Sequence, residues 1–355
     1  MKTKNNLTRW ILGACVAGLS ISSAVPVSAL DTVESYIREY PNQQQVHMMK
    51  AWLKDNKPGT FTFTGLVDPT DHTVITPQAT VDYGYNWFSL SDGPAVLSTP
   101  KYEKFFSVSV FDMKHNVPAV LVNPDKPILL TRPGFARPDG DYHVVELETD
   151  QGVILTRMVV VKNLDEVTAL SKKIVMTGGD GDMDRPVQRF SEPIRKAGEH
   201  VIKAMVEVVN PDTVFGERSG DVGDLNLAAG VMQGQLGTPP QTVRYALTLA
   251  DDSGAPLKGD ATYEVTVPAG IVKDSGYFSV TVYGADDKFL IPNKLKQYDR
   301  TTYDAKANAD GTYTVTLSPD GGGQNGIPTG KDFYMITRAY VPVPGAAIQP
   351  KVEKK

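Results

Sequence analysis

Through most of the chain apolar and polar residues alternate one by one, the spacing of strands with one covered face. Phe106, Val108 and Val110 alternate with Ser107 and Ser109, and Tyr263, Val265 and Val267 with Glu264 and Thr266. Phe278, Val280 and Val282 alternate with Ser279 and Thr281, and Tyr313, Val315 and Leu317 with Thr312, Thr314 and Thr316. Residues 154–161 form a nearly continuous apolar run. Turn clusters such as Asp92-Gly93-Pro94, Arg132-Pro133-Gly134 and Asp310-Gly311 punctuate these segments, which predicts an antiparallel sandwich or barrel.

Helical spacing occurs in two places. Val33, Tyr36, Ile37 and Tyr40 precede Val46, Met49 and Leu53, and Pro41 between them predicts two short helices. Residues 165–238 read as a helical connector. Val167, Leu170 and Ile174 recur at helical spacing, and Ser191 can cap a helix with the stripe Ile194, Ala197, Val201, Met205 and Val208. A weaker stretch over 225–236 is interrupted by Gly230 and Gly234. The predicted organisation is mainly β, with an N-terminal β-sandwich domain over 30–164, the connector over 165–238, a second β-sandwich domain over 239–345 and a flexible tail over 346–355.

Charge and the first thirty residues narrow the picture. The 355 residues carry 36 Lys+Arg against 41 Asp+Glu, a formal net charge of -5, which excludes a protein that lives on phosphate contacts with nucleic acid. Lys2, Lys4 and Arg9, a weakly polar stretch over 10–21 and small residues at Val27-Ser28-Ala29 form the three-part pattern of a secretory leader over residues 1–29. Leu12-Gly13-Ala14-Cys15 offers a competing lipid-attachment reading, but its apolar segment is shorter than the roughly 7–15 residues such leaders use. Cleavage removes the single Cys and leaves a periplasmic or secreted chain with no transmembrane anchor, held by core packing alone.

Several motifs resemble a known pair of families. Ser35-Tyr-Ile-Arg-Glu-Tyr-Pro41, Leu90-Ser-Asp-Gly-Pro94 and Phe105-Phe-Ser-Val-Ser-Val-Phe-Asp112 with Asn116 resemble the bacterial domain-of-unknown-function family numbered 1254, and Gly220-Asp-Val-Gly223 its connector. Gly259-Asp-Ala-Thr-Tyr263, Ser279-Val-Thr-Val-Tyr283, Asn308-Ala-Asp-Gly311 and Phe333-Tyr-Met-Ile-Thr-Arg338 resemble its usual partner, numbered 1214. The resemblance implies two jelly-roll-like β-sandwich domains in an exported protein, and a hydrolase role on phosphorylated small molecules that has been attached to relatives.

The chemistry-bearing residues are sparse. The five histidines show no HExxH pattern, and no GxSxG occurs, so neither a zinc protease site nor a hydrolase elbow is signalled. Asp112, His115 and Asn116 follow a strand, with Arg132 in the next turn region and Arg157 inside an apolar strand pattern. Strand-end acids and amides of this kind can hold a proton or a metal while arginines neutralise an anionic substrate, with His115 as general base. A structural salt bridge explains Arg157 equally well. Asp180, Asp182 and Asp184 alternate on a Gly-rich loop, a pattern that suits a divalent cation, calcium or magnesium, and equally a solvated loop ahead of a helix. Tyr83, Tyr85 and Trp87 share one strand face, fit to stack on a flat small-molecule ligand or to pack a core. Two functions follow as expectations: a hydrolase acting on a small anionic compound, or a non-catalytic ligand-binding or assembly module, including a homo-oligomer.

Overall fold

In the computed structural model, which describes residues 31–70 and 76–355, the Thr32 side chain accepts a hydrogen bond from the Ser35 N–H and opens helix α1 (Val33–Trp52). The leader over 1–29 and His72 lie outside the described residues. Strands β1 (Thr62–Phe63), β2 (Val81–Ser89), β3 (Ala95–Ser98), β4 (Phe106–Asp112), β5 (Ala119–Val122), β6 (Ile128–Thr131), β7 (His143–Glu146) and β8 (Gln151–Val159) follow. Then come α2 (Leu164–Ser171), β9 (Val175–Thr177), α3 (Glu192–Val206) and α4 (Asp224–Gln233). The rest is strand: β10 (Val243–Thr248), β11 (Tyr263–Val267), β12 (Val272–Gly284), β13 (Asp299–Thr301), β14 (Tyr313–Ser318), β15 (Ile327–Pro328), β16 (Phe333–Pro342) and β17 (Lys351–Lys354). Among the described residues no helix is long and apolar enough to cross a membrane.

The chain divides into two compact units. Of the described residues, the first holds those up to Phe63, Tyr83–Arg157 and Ala169–Pro240, and the second those within Thr64–Asp82, Met158–Thr168 and Gln241–Lys355. The first contains a five-stranded sheet ordered β1-β2-β8-β4-β5 and a four-stranded one ordered β7-β6-β3-β9. The second contains two four-stranded sheets, β10-β16-β12-β13 and β15-β14-β11-β17. The strand-rich expectation holds, but not its purely antiparallel form: β6 runs parallel to β7 and β14 parallel to β15.

Three local expectations are corrected. One helix, not two, runs through Pro41. Losing that backbone bond costs about 3 kcal/mol, and α1 recovers it by packing on two cores. Tyr36, Ile37 and Tyr40 join Ile202 of α3 and Ala228, Ala229 and Val231 of α4. Val46, Met49 and Trp52 join Trp87, Phe111, Val153 and Leu155 of the five-stranded sheet. The residues of the expected connector that form α3 and α4 are therefore part of the first unit. Second, α3 buries Gly198 and Ile202 and packs Ile194 and Met205 of the predicted stripe against the same core, but it leaves Val201 exposed, and Val208 lies exposed beyond its end. A Cβ at Gly198 would stand 2.1 Å from Tyr36 Cδ1, so the helices meet where only glycine fits. Third, the tail is not loose: β17 pairs with β11, placing buried Val352 opposite Val265.

The core of the second unit draws Val265 and Val267, Phe278, Val280 and Val282, Val315 and Leu317, Met335 and Val352 into one cluster fed by both of its sheets. The alternating residues identified in the sequence supply it.

Candidate functional site

Strand β4 ends at Asp112, whose buried carboxylate closes a tight loop. Its Oδ1 accepts from the backbone N–H groups of Lys114 (2.8 Å) and Asn116 (2.9 Å), and its Oδ2 accepts from Asn116 Nδ2 at 2.9 Å. Burial pushes the Asp112 pKa up against the pull of the Asn116 bonds. Asn116 Nδ2 also donates to Ser219 Oγ at 3.2 Å, and Ser219 Oγ–H donates to Glu148 Oε2 at 2.5 Å. Lys114 Nζ bonds the same Glu148 oxygen at 3.0 Å. Burial alone would raise the Glu148 carboxyl, but the bonds from Ser219 and Lys114 outweigh it and hold it low.

His115, the residue between, does not join this node. Its φ of 65° turns the imidazole into the core, stacked on Phe215 (4.9 Å between centroids) with the Phe111 edge at 5.5 Å. Nε2 accepts a hydrogen bond from the Leu236 N–H at 2.9 Å, so the ring proton sits on Nδ1, which has no partner among the described residues. Burial depresses its pKa to about 4. An imidazole whose one basic lone pair is already occupied, and which is excluded from water, cannot serve as the expected general base. It is a core residue.

The arginines are likewise committed. Arg132 pairs with Asp150. Arg157 donates to Ser109 Oγ (3.1 Å) and to the Leu236 carbonyl (3.4 Å), and its guanidinium lies 5.9 Å from the Tyr83 ring centroid. The group that links the acids is Arg185, which directly follows Asp184 on the Gly-rich loop. Its Nε donates to Asn42 Oδ1 at 2.6 Å and its Nη1 to Gln151 Oε1 at 3.3 Å. Burial lowers its pKa, while the charges of Asp112, Glu39 and Asp150 act in the opposite direction. Three carboxylates thus share two guanidinium groups, a balance suited to holding loops together and ill suited to attracting an anion.

The remaining candidates separate by burial. Trp87 is 1% exposed and Tyr85 is buried beside it in the α1 core, which removes the stacking face predicted for a ligand; Tyr83 is partly buried against the same core. Asp180 bridges to Ser89, the Asp182 N–H bonds Ser91 Oγ, and the Asp184 N–H bonds Asp182 Oδ1. Among the described residues no group of three or more His, Cys, Asp or Glu is placed to hold a metal ion, so these three acids are not gathered around a cation.

The second unit holds a polar constellation that strand patterns did not reveal. Tyr277, Ser279, Thr281 and Tyr283 share the face of β12 opposite the core, and all are fully buried. Arg338 of β16, 5% exposed, donates through Nη1 to Tyr283 Oη (2.9 Å) and to Gln78 Oε1 (3.3 Å), and through Nη2 to the Thr76 carbonyl (2.9 Å). Gln78 Nε2 donates to Ser279 Oγ at 3.0 Å. Asp299 of β13, opposite Thr281, completes the face.

Residues 58–178 match the family model described as a protein of unknown function, DUF1254, and residues 242–344 match that of DUF1214. No curated protein matches the sequence. The fold is similar to the crystal structure of the VPA0106 protein from Vibrio parahaemolyticus, with a TM-score of 0.75 at 18% identity, covering 91% of this chain and 98% of that one. It is also similar to a putative uncharacterized protein from Burkholderia cenocepacia, with a TM-score of 0.50 at 14% identity over 90% and 88% of the two chains. The chain belongs to the families of unknown function DUF1254, in its N-terminal region, and DUF1214, in its C-terminal region.

Proposed function

We propose that this is an exported, non-catalytic assembly module built on two jelly-roll-like β-sandwiches, with a second copy of the chain as its partner. One observation carries the reading: β10 wears its alternation inside out. Tyr245, Leu247 and Leu249 are 48%, 54% and 60% exposed, while Ala246 and Thr248 between them are buried. Three large apolar groups, two on a strand at the edge of its sheet and the third just past the strand's end, form a surface that water disfavours and that another strand can cover. An edge strand laid antiparallel to its own copy about a two-fold axis meets an identical row, so the surface is complementary to itself. The commitment of His115, Arg132 and Arg157 to structural partners supports the same reading. Sedimentation of the purified protein at micromolar concentration is expected to give a dimer, and Leu247→Lys with Leu249→Lys a monomer. A wild-type monomer, or a dimer indifferent to both lysines, overturns it.

A second reading, hydrolysis of a small anionic compound such as a phosphorylated one, is favoured by Ser219. Its hydroxyl donates to a carboxylate, and Lys114 and Asn116 donate toward its oxygen. This reading expects turnover of phosphate or carboxylate esters that Ser219→Ala abolishes. A panel left untouched, with and without EDTA, removes it.

A further inference from the structure

We propose that Asp299 and Arg338 form a proton-operated latch that holds residues 76–82 against the outer face of β12 when Asp299 is protonated and loosens them when it is ionised. Main-chain bonds hold the covering segment at two points, from the Thr76 N–H to the Lys288 carbonyl (2.9 Å) and from the Val160 N–H to the Thr80 carbonyl (2.7 Å), before it enters β2 at Val81; side chains supply the rest. Arg338 grips the Thr76 carbonyl and Gln78, Tyr283 Oη donates to the Pro77 carbonyl at 2.7 Å, and the Thr80 hydroxyl bonds Asp299. Asp299 is 3% exposed, and among the described residues its Oδ2 has no hydrogen-bond partner.

The groups facing Asp299 decide its charge. Arg338 of β16 and Arg300 of its own strand favour ionisation, as does the Thr80 bond, whereas Asp304 in the turn after β13 opposes it. Arg300 is itself occupied by Asp304 at 3.0 Å, and β12 offers only the uncharged Thr281 opposite. The covering segment's own acid, Asp82, accepts from the Gly65 N–H at 2.8 Å. Burial dominates, with the Asp304 charge behind it, and raises the Asp299 pKa to about 7. Lifting residues 76–82 would let water reach the carboxylate and return its pKa toward the ordinary value of 3.8. The lifted form therefore binds fewer protons, and rising pH favours it; acid favours the closed form.

Hydrogen exchange of the whole protein tests this. After correction for intrinsic exchange, amides in residues 76–82 are expected to exchange about tenfold or more faster near pH ~8.5 than near pH ~5.5. Asp299→Asn is expected to keep them protected at both. Equal corrected rates in the wild type, or a pH dependence that survives in Asp299→Asn, overturns the latch. Should that variant fail to fold, infrared titration of the wild type decides: a buried carboxyl band with a midpoint near 7 is expected, shifted upward in Thr80→Val. Titration of every carboxyl below about pH 5 overturns the proposal.

Discussion

The Leu236 N–H donates to Nε2 of His115 at 2.9 Å, across 121 residues of chain, and this bond fixes both the tautomer and the place of the ring. The folded protein holds His115 neutral down to about pH 4, against an ordinary value of 6.5. Between those values the unfolded chain binds more protons, so stability rises with pH across the window and is lost on acidification, by about 3 kcal/mol for this group alone. His115→Phe keeps the stacking but leaves the Leu236 N–H unsatisfied. Urea unfolding is expected to show a loss of about 1–3 kcal/mol at neutral pH and a shallower decline toward acid.

Asp299 has the opposite sign. A carboxyl with a folded pKa of about 7 contributes stability below its ordinary 3.8 that fades as pH rises through 7. The raised pKa of Asp112 adds to that slope. Asp299→Asn is thus expected to stabilise the protein at alkaline pH and to uncover the acid sensitivity of His115. Thermal unfolding of the variant should then fall more steeply than that of the wild type as pH drops below about 6.5.

Arg185 stands among Asp112, Glu39 and Asp150, so removing it leaves carboxylates without their shared cation. Arg185→Met is expected to lower stability by about 1–3 kcal/mol, the range for a partly buried charge network rather than an exposed pair. Arg185→Lys is expected to recover less than half, because one ammonium cannot reach both Asn42 and Gln151 with the fork of a guanidinium. Parallel urea titrations of the two variants check the order.

Strand cores were legible in the sequence because alternation reports which face is apolar. Phe278, Val280 and Val282 point inward as their spacing requires. The same alternation said that Ser279 and Thr281 face away from that core, not that residues some 200 positions earlier cover them, with Gln78 donating to Ser279. Asp112 and Asn116 were recognisable as a strand-end pair, and they do meet. Arg185 was not, since its partners Asn42 and Gln151 come from elements far away in the chain and neither residue type announces a site. Pro41 pointed to a break that two flanking apolar clusters override.

Gly198 lies under the Tyr36 ring, and a methyl group there would overlap Cδ1 at 2.1 Å and Cε1 at 2.9 Å. Alanine gains about 1 kcal/mol in a helix over glycine, but a ring wedged between α1 and α3 yields only by moving a helix. Overpacking of this kind costs about 1–3 kcal/mol, so Gly198→Ala is expected to be destabilising on balance. Combining it with Tyr36→Leu should reverse much of the added loss, a coupling that a double-mutant cycle measures.

Removing the last ten residues tests the C-terminal strand most directly. Truncation before residue 346 takes away Ile348 and Val352, both buried, and unpairs β11 along Tyr263, Glu264, Val265 and Thr266. Two buried aliphatic side chains are worth about 3–6 kcal/mol of transfer free energy at most. The newly bare edge also invites pairing with other chains. The truncated protein is expected to unfold in its second unit at markedly lower temperature and to aggregate on heating. Val352→Asp in the full chain should reproduce the destabilisation through the charge it buries while leaving β17 in place to cover the edge. Light scattering during a thermal ramp separates the two: both variants melt early, and the truncated one scatters more.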